Sequence, residues 1–178
     1  PDGRMCTVAD LSAKLNIIDE SFADVAPDQS LMATATRPGT LILKSFGKFW
    51  GLAGLRLGFV IGDPRLIAQL REMLGPWPVS GIALAVGAAA LRDRAWAEKT
   101  RFRLNADAAR LDALVTSKGA EVLGGTSLFR LYGVKDAATW QDRLAHHHIW
   151  SRCFPYTTNW LRLGLPHPDH WNRLEEAL

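Results

Sequence analysis

The chain has 178 residues, 48% of them hydrophobic and 22% charged, with a formal net charge of +3. That balance is enough for a globular core, and the length slightly exceeds the commonest size of one domain. Lysines and arginines are scattered rather than striped, which argues against a nucleic-acid surface, and no apolar run reaches the length of a membrane span. The two cysteines, Cys6 and Cys153, lie far apart without C-x-x-C spacing, so neither a disulfide framework nor a zinc site is expected. A reducing, cytoplasmic setting fits that usage. The opening PDGRMC begins on a turn-forming triplet with no element before it, as an internal stretch of a longer protein would.

TVADLSAKL (7–15) carries helical periodicity, and in NIIDESF the pair Ile17 and Ile18 reads as a short buried strand ending at Asp19. TLILKSF (40–46) and RLGFVIG (56–62) are further strand-like runs. Asp63-Pro64 starts a helix reaching about Met73, with proline in its first turn. GPWPVSG breaks the pattern before IALAVGAAALRDRAW, which is Ala-rich and apolar enough for a packed helix. Charges spaced around Trp96, Phe102, Leu104, Leu111 and Leu114 predict one or two long helices over 92–117, closed at Lys118-Gly119. Short elements follow: AEVL, SLFRLYGV, a helix over 136–146, HHIWSRC, NWLRLGL and a helix from Pro168. The expected architecture is α/β over 1–105 and a smaller α+β module over 106–178.

Within SFGKFWGLAGLRLGF (45–59), Lys48 and Arg56 sit eight positions apart in a run otherwise made of apolar residues, glycines and a serine. A cation buried in such a run needs an anionic partner, because desolvating it costs several kcal/mol. Taken alone, a lysine is usually an exposed surface residue. The neighbours here favour chemistry. A hydroxyl from Ser45 and the guanidinium of Arg56 suit a dianionic phosphate. Asp19 ends an earlier strand, at the kind of edge where α/β sheets bind ligands. A carboxylate there keeps a pyridine nitrogen protonated, and a lysine amine condenses with an aldehyde. Together these four residues describe a site for pyridoxal 5′-phosphate.

S-x-x-K followed by GLAGLRLGF and preceded by IIDESF resembles the class I/II aminotransferase superfamily, the fold-type I pyridoxal-phosphate enzymes. The resemblance implies that Lys48 bonds covalently to the cofactor, that Ser45 and Arg56 hold its phosphate, and that Asp19 pairs with its ring nitrogen. PDGR matches the end of the family's N-P-x-N-P-x-G turn, and NWLRLGLP is similar to its carboxylate-binding segment, which makes Arg162 the candidate clamp on a substrate α-carboxylate. Where relatives have D-E-A-Y, this chain has Asp19-Glu20-Ser21-Phe22. Phe22 cannot donate the tyrosine's hydrogen bond to the cofactor's 3′ oxygen. That phenylalanine, with PWPVSGIALAVGAAALRDRAW and SLFRLYGV, is similar to the branch of L-threonine O-3-phosphate decarboxylases that serve cobalamin biosynthesis. A histidinol-phosphate-type aminotransferase is the nearest alternative, and a non-catalytic remnant of the fold is an alternative of another class. On this resemblance 1–105 is the C-terminal part of the cofactor-binding large domain, with a mostly parallel sheet, and 106–178 is the small domain. The implied assembly is a homodimer acting on a phosphorylated amino acid, without a nucleic-acid or membrane partner.

His146, His147 and His148 are consecutive and point in different directions, which suits a solvated helix end better than a metal site. Trp96, Trp140, Trp150, Trp160 and Trp171 are expected to be packing anchors, and Cys153 a small apolar residue on a strand.

Overall fold

In the computed structural model, which describes residues 2–178, the chain divides into two compact units. One spans Met5–Ala97, and the other joins residues 2–4 to Glu98–Leu178. The division falls inside the helix Arg94–Thr116, whereas the sequence alone places a boundary at 105.

In the first unit, the apolar runs around Ile18 and Ile42 form β1 (Asn16–Asp19) and β2 (Thr40–Ser45), which pair in parallel with these two isoleucines opposite each other. β3 (Gly58–Gly62) runs antiparallel along the other side of β2, with Ser45 opposite Gly58. The sheet, ordered β1-β2-β3, is therefore mixed. Its strand directions bring the end of β1, the end of β2 and the start of β3 to one edge. Ile18 and Ile42 are buried with Ala35, against Leu11, Leu31, Met32 and Ile61. Ile17, by contrast, is 60% exposed, because neighbouring strand residues face opposite sides; only one of the apolar pair is buried.

TVADLSAKL does not form the helix its periodicity suggests. It makes one 3-10 turn at Val8–Asp10, closed by Thr7 donating its backbone N–H and its hydroxyl to the Asp10 carboxylate. None of the turn's residues is buried, and so short a segment is not helical without a packed face. α1 (Pro64–Leu74) starts where sequence places it, with Asp63 as its cap. The Asp63 carboxylate accepts the backbone N–H groups of Gly39 at 2.9 Å and Arg65 at 3.0 Å, and these bonds hold its pKa below the usual carboxylate value. α2 (Gly81–Arg92), capped by Ser80, buries only a stripe of Ala83 and Gly87, with Ala83 in a cluster with Phe46 and Leu57. Ile82, Leu84 and Leu91 on the same helix are exposed, so the packed helix expected from composition is packed along one stripe.

α3 (Arg94–Thr116) leads into the second unit and closes at Gly119, whose φ of +89° is a conformation that favours glycine. There follow β4 (Glu121–Thr126), β5 (Phe129–Gly133), α4 (Ala137–His146), β6 (Arg152–Phe154), β7 (Thr157–Gly164) and α5 (Trp171–Ala177). The strands form an antiparallel sheet ordered β4-β5-β7-β6. Leu111, Val115, Tyr132, Leu144, Leu161 and Leu163 centre its core, and Trp140 and Trp171 join them. Trp150 is 91% exposed and anchors nothing. His146 and His148 are exposed at the end of α4, and the described residues hold no cluster of three or more potential metal ligands.

One polar network crosses this core. Arg130 donates to Asp112 through Nε at 2.9 Å and Nη2 at 2.7 Å, and the buried Tyr132 hydroxyl donates to the same carboxylate at 2.8 Å. Burial, then the Asp112 carboxylate, pushes the Tyr132 phenol's pKa up, so it stays a donor throughout the neutral range. Replacing Asp112→Ala strands both donors and is expected to cost about 3 kcal/mol. Urea unfolding checks this; a loss below ~1 kcal/mol means that the network adds little.

Candidate active site

The loop between β2 and β3 is anchored by two buried side chains, Phe46 and Leu57, whose backbones are joined by Phe46 N–H donating to Leu57 C=O at 3.1 Å. Leu52 N–H donates to Phe46 C=O at 2.9 Å and folds the intervening turn back on itself. Lys48 and Arg56 project from this pinned loop, and both are exposed. Here the structure corrects the expectation that the two cations lie buried in an apolar run. The apolar positions on either side turn inward, and the cations are left at the open sheet edge.

The local geometry around each candidate is specific. Lys48 Nζ lies 5.3 Å from the centroid of the Phe22 ring, a cation–π contact. Ser45 Oγ accepts from Gly47 N–H at 3.1 Å. Asp19 Oδ1 accepts from Ser21 N–H at 2.9 Å and from the Ser21 hydroxyl at 2.5 Å. Arg56 has φ 54° and ψ 33°, a left-handed conformation that is uncommon outside glycine, and its Nη1 donates to Ala53 C=O at 3.1 Å. Such strain persists where the surroundings impose it, often at functional sites. Asp19, Phe22, Ser45, Lys48 and Arg56 thus all belong to segments at one edge of the β1-β2-β3 sheet. An amine, a hydroxyl, a guanidinium and a carboxylate are the donor set that pyridoxal phosphate requires, and the residues present fit it.

Arg162 belongs to the second unit, on β7. It is half-buried, with its guanidinium 5.0 Å from the Phe129 ring, and no carboxylate among the described residues pairs with it. Directly opposite on β6 stands Arg152. Desolvation, then the charge of Arg152, lowers the pKa of Arg162. Like charges at opposed strand positions are destabilising unless an anion lies between them. Arg152 is a functional candidate that sequence reading missed. Both segments read as strands, but nothing in their spacing gives the register that sets the two arginines face to face.

A family model for aminotransferase class I and II matches residues 3–177. The chain belongs to that family. Threonine-phosphate decarboxylase from Pseudomonas aeruginosa is 43% identical over 163 residues, covering 91% of this chain and 49% of that protein. Threonine-phosphate decarboxylase from a Sinorhizobium species is 40% identical over 189 residues, covering 100% of this chain and 56% of that protein. The crystal structure of histidinol-phosphate aminotransferase from Sinorhizobium meliloti in complex with pyridoxal-5′-phosphate matches with a TM-score of 0.77 at 22% identity, over 92% of this chain and 47% of that one. The chain spans about half the length of the curated relatives it matches. Membership in the class I and II aminotransferases agrees with the α/β, fold-type I class that the lysine motif implies. Among the described residues no helix is long and apolar enough to cross a membrane.

Proposed function

We propose that the protein to which this chain belongs is a pyridoxal-phosphate-dependent carboxy-lyase. It removes CO₂ from L-threonine O-3-phosphate and leaves (R)-1-amino-2-propanol O-2-phosphate, a reaction serving cobalamin biosynthesis. The observation that carries this reading is the likeness, over nearly the whole chain, to two threonine-phosphate decarboxylases. Phe22 in place of the aminotransferases' usual tyrosine supports the same branch. Two-fold dimers are the commonest assembly, and a homodimer in the cytoplasm accords with this family and with the two separated cysteines.

Each residue has a role in this reading. Bound at the sheet edge, the cofactor supplies an electron sink beside the substrate's Cα. Ser45 and Arg56 grip its phosphate, and Asp19 keeps its ring nitrogen protonated. Lys48 would hold the cofactor covalently, and its amine, when free, would be the group that returns a proton to Cα. Arg162 binds the substrate carboxylate through its planar fork. Arg152, opposed to it, provides a second cation, which suits a substrate carrying both a carboxylate and a phosphate.

Incubating the full-length protein with L-threonine O-3-phosphate, and separately with histidinol phosphate and 2-oxoglutarate, tests the proposal. CO₂ release from the first mixture with slow or no glutamate formation in the second is expected. Rapid glutamate formation without CO₂ release makes the protein an aminotransferase instead. A protein that stays colourless with added cofactor is the non-catalytic remnant.

A further inference from the structure

Two lysines stand four positions apart at this edge, and their surroundings differ. Lys48 is exposed, with its Nζ facing the Phe22 ring. Lys44, on β2, has its Nζ 2.7 Å from Asp24 Oδ1 and 3.3 Å from Glu20 Oε2, and its side chain is 17% exposed. Glu20 is buried and itself pinned, accepting from Leu31 N–H at 2.6 Å and from the Ser30 hydroxyl at 2.7 Å. The other oxygen of Asp24 accepts from Trp50 Nε1 at 3.0 Å. Trp50 follows Lys48 by two residues, and its ring stacks on Phe46 and on Trp96, with centroids 5.7 Å away in each case. One carboxylate therefore joins three segments: β2, the turn that carries Lys48, and the loop that carries Phe22 two residues before Asp24.

We infer that Asp24 is the positioning residue that decides which lysine takes the cofactor. Through Trp50 it holds the Lys48 turn beside Phe22, and through Lys44 it keeps the competing amine out of reach. Reach is the difference between the two. An aldehyde carbon must approach Nζ closely to bond with it, and around Lys44 two carboxylate groups occupy that approach. The two arms of Asp24 are chemically separable, because Trp50 needs only an acceptor oxygen whereas Lys44 is held by charge. The inference rests on the pyridoxal-phosphate reading above and adds a residue to it.

The test is to incubate the full-length protein with pyridoxal phosphate, reduce it with borohydride and map the labelled peptides. In the labelling, lysine Nζ bonds to the aldehyde carbon, water leaves, and hydride reduces the resulting C=N bond to a stable secondary amine. Wild type is expected to carry label on Lys48 and not on Lys44. Asp24→Asn keeps an oxygen for Trp50 but removes the nearer of the two carboxylate charges on Lys44, with Glu20 still 3.3 Å away; label then appears on Lys44 as well, more slowly than on Lys48, while Lys48 stays within about twofold of the wild-type rate. Trp50→Phe breaks only the other arm; labelling of Lys48 slows about tenfold, with Lys44 still unlabelled. Circular dichroism reports whether each variant is folded, and because each arm has its own variant, misfolding of one leaves the other decisive. A merely structural role lowers the melting temperature without moving the label, so unchanged labelling in either folded variant overturns the inference, as does label on Lys44 in wild type. Wild type labelled on neither lysine overturns the cofactor reading itself.

Discussion

If the full-length protein is the decarboxylase proposed above, Lys48→Ala is expected to lower its CO₂ release by about a thousandfold or more, because in that reading one amine is both covalent anchor and proton donor. The fold should hardly respond. Lys48 is exposed, and among the described residues its Nζ contacts the Phe22 ring, so unfolding free energy is expected to change by less than ~0.5 kcal/mol. The variant should also lose the visible absorbance that borohydride bleaches in wild type. Turnover in Lys48→Ala within about tenfold of wild type would place the chemistry on another group.

Arg162 is expected to show the same divergence between activity and stability. Losing a bidentate guanidinium–carboxylate contact removes two charge-assisted hydrogen bonds worth about 1.5–3 kcal/mol each, so Arg162→Ala should raise KM by about a hundredfold or more. Arg162→Lys keeps the charge but not the planar fork, and it should recover only part of that loss. Stability should fall little in either variant. Arg162 gives up a cation–π contact with Phe129 of about 0.5–1 kcal/mol, but the change also relieves its opposition to Arg152 and its desolvation. Steady-state kinetics beside thermal melts decide it. A large drop in melting temperature with KM unchanged would make Arg162 a structural residue and remove it from the substrate site.

The amino-acid sequence by itself determined the elements that local chemistry specifies. Asp63-Pro64 starts a helix because a carboxylate cap and a fixed proline φ act within one turn, and Gly119 ends one because few other residues tolerate its φ. Ser45, Lys48 and Arg56 stand out as a candidate set because one short stretch, the end of β2 and the loop after it, carries all three, and Asp19 because a charged residue ends a strand of isoleucines. Tertiary structure alone decided whatever depends on pairing and burial. Parallel pairing of β1 with β2 puts Asp19 and Ser45 at the same edge, although 26 positions separate them in the chain. Buried Phe46 and Leu57 turn the intervening loop so that Lys48 and Arg56 face outward, and a run of apolar letters does not say which way its cations point. The periodicity of TVADLSAKL promised a helix, but Leu11 is its one residue packed against the core, too little to support one. The same limit hid Arg152 and Asp24: the first meets Arg162 through the register of β6 with β7, and the second meets Lys44 and Trp50 through a connection folded back over the sheet edge. The first depends on a register shift within one hairpin and the second on a long-range contact, and a sequence read locally encodes propensity and spacing but not which side chain completes a pair.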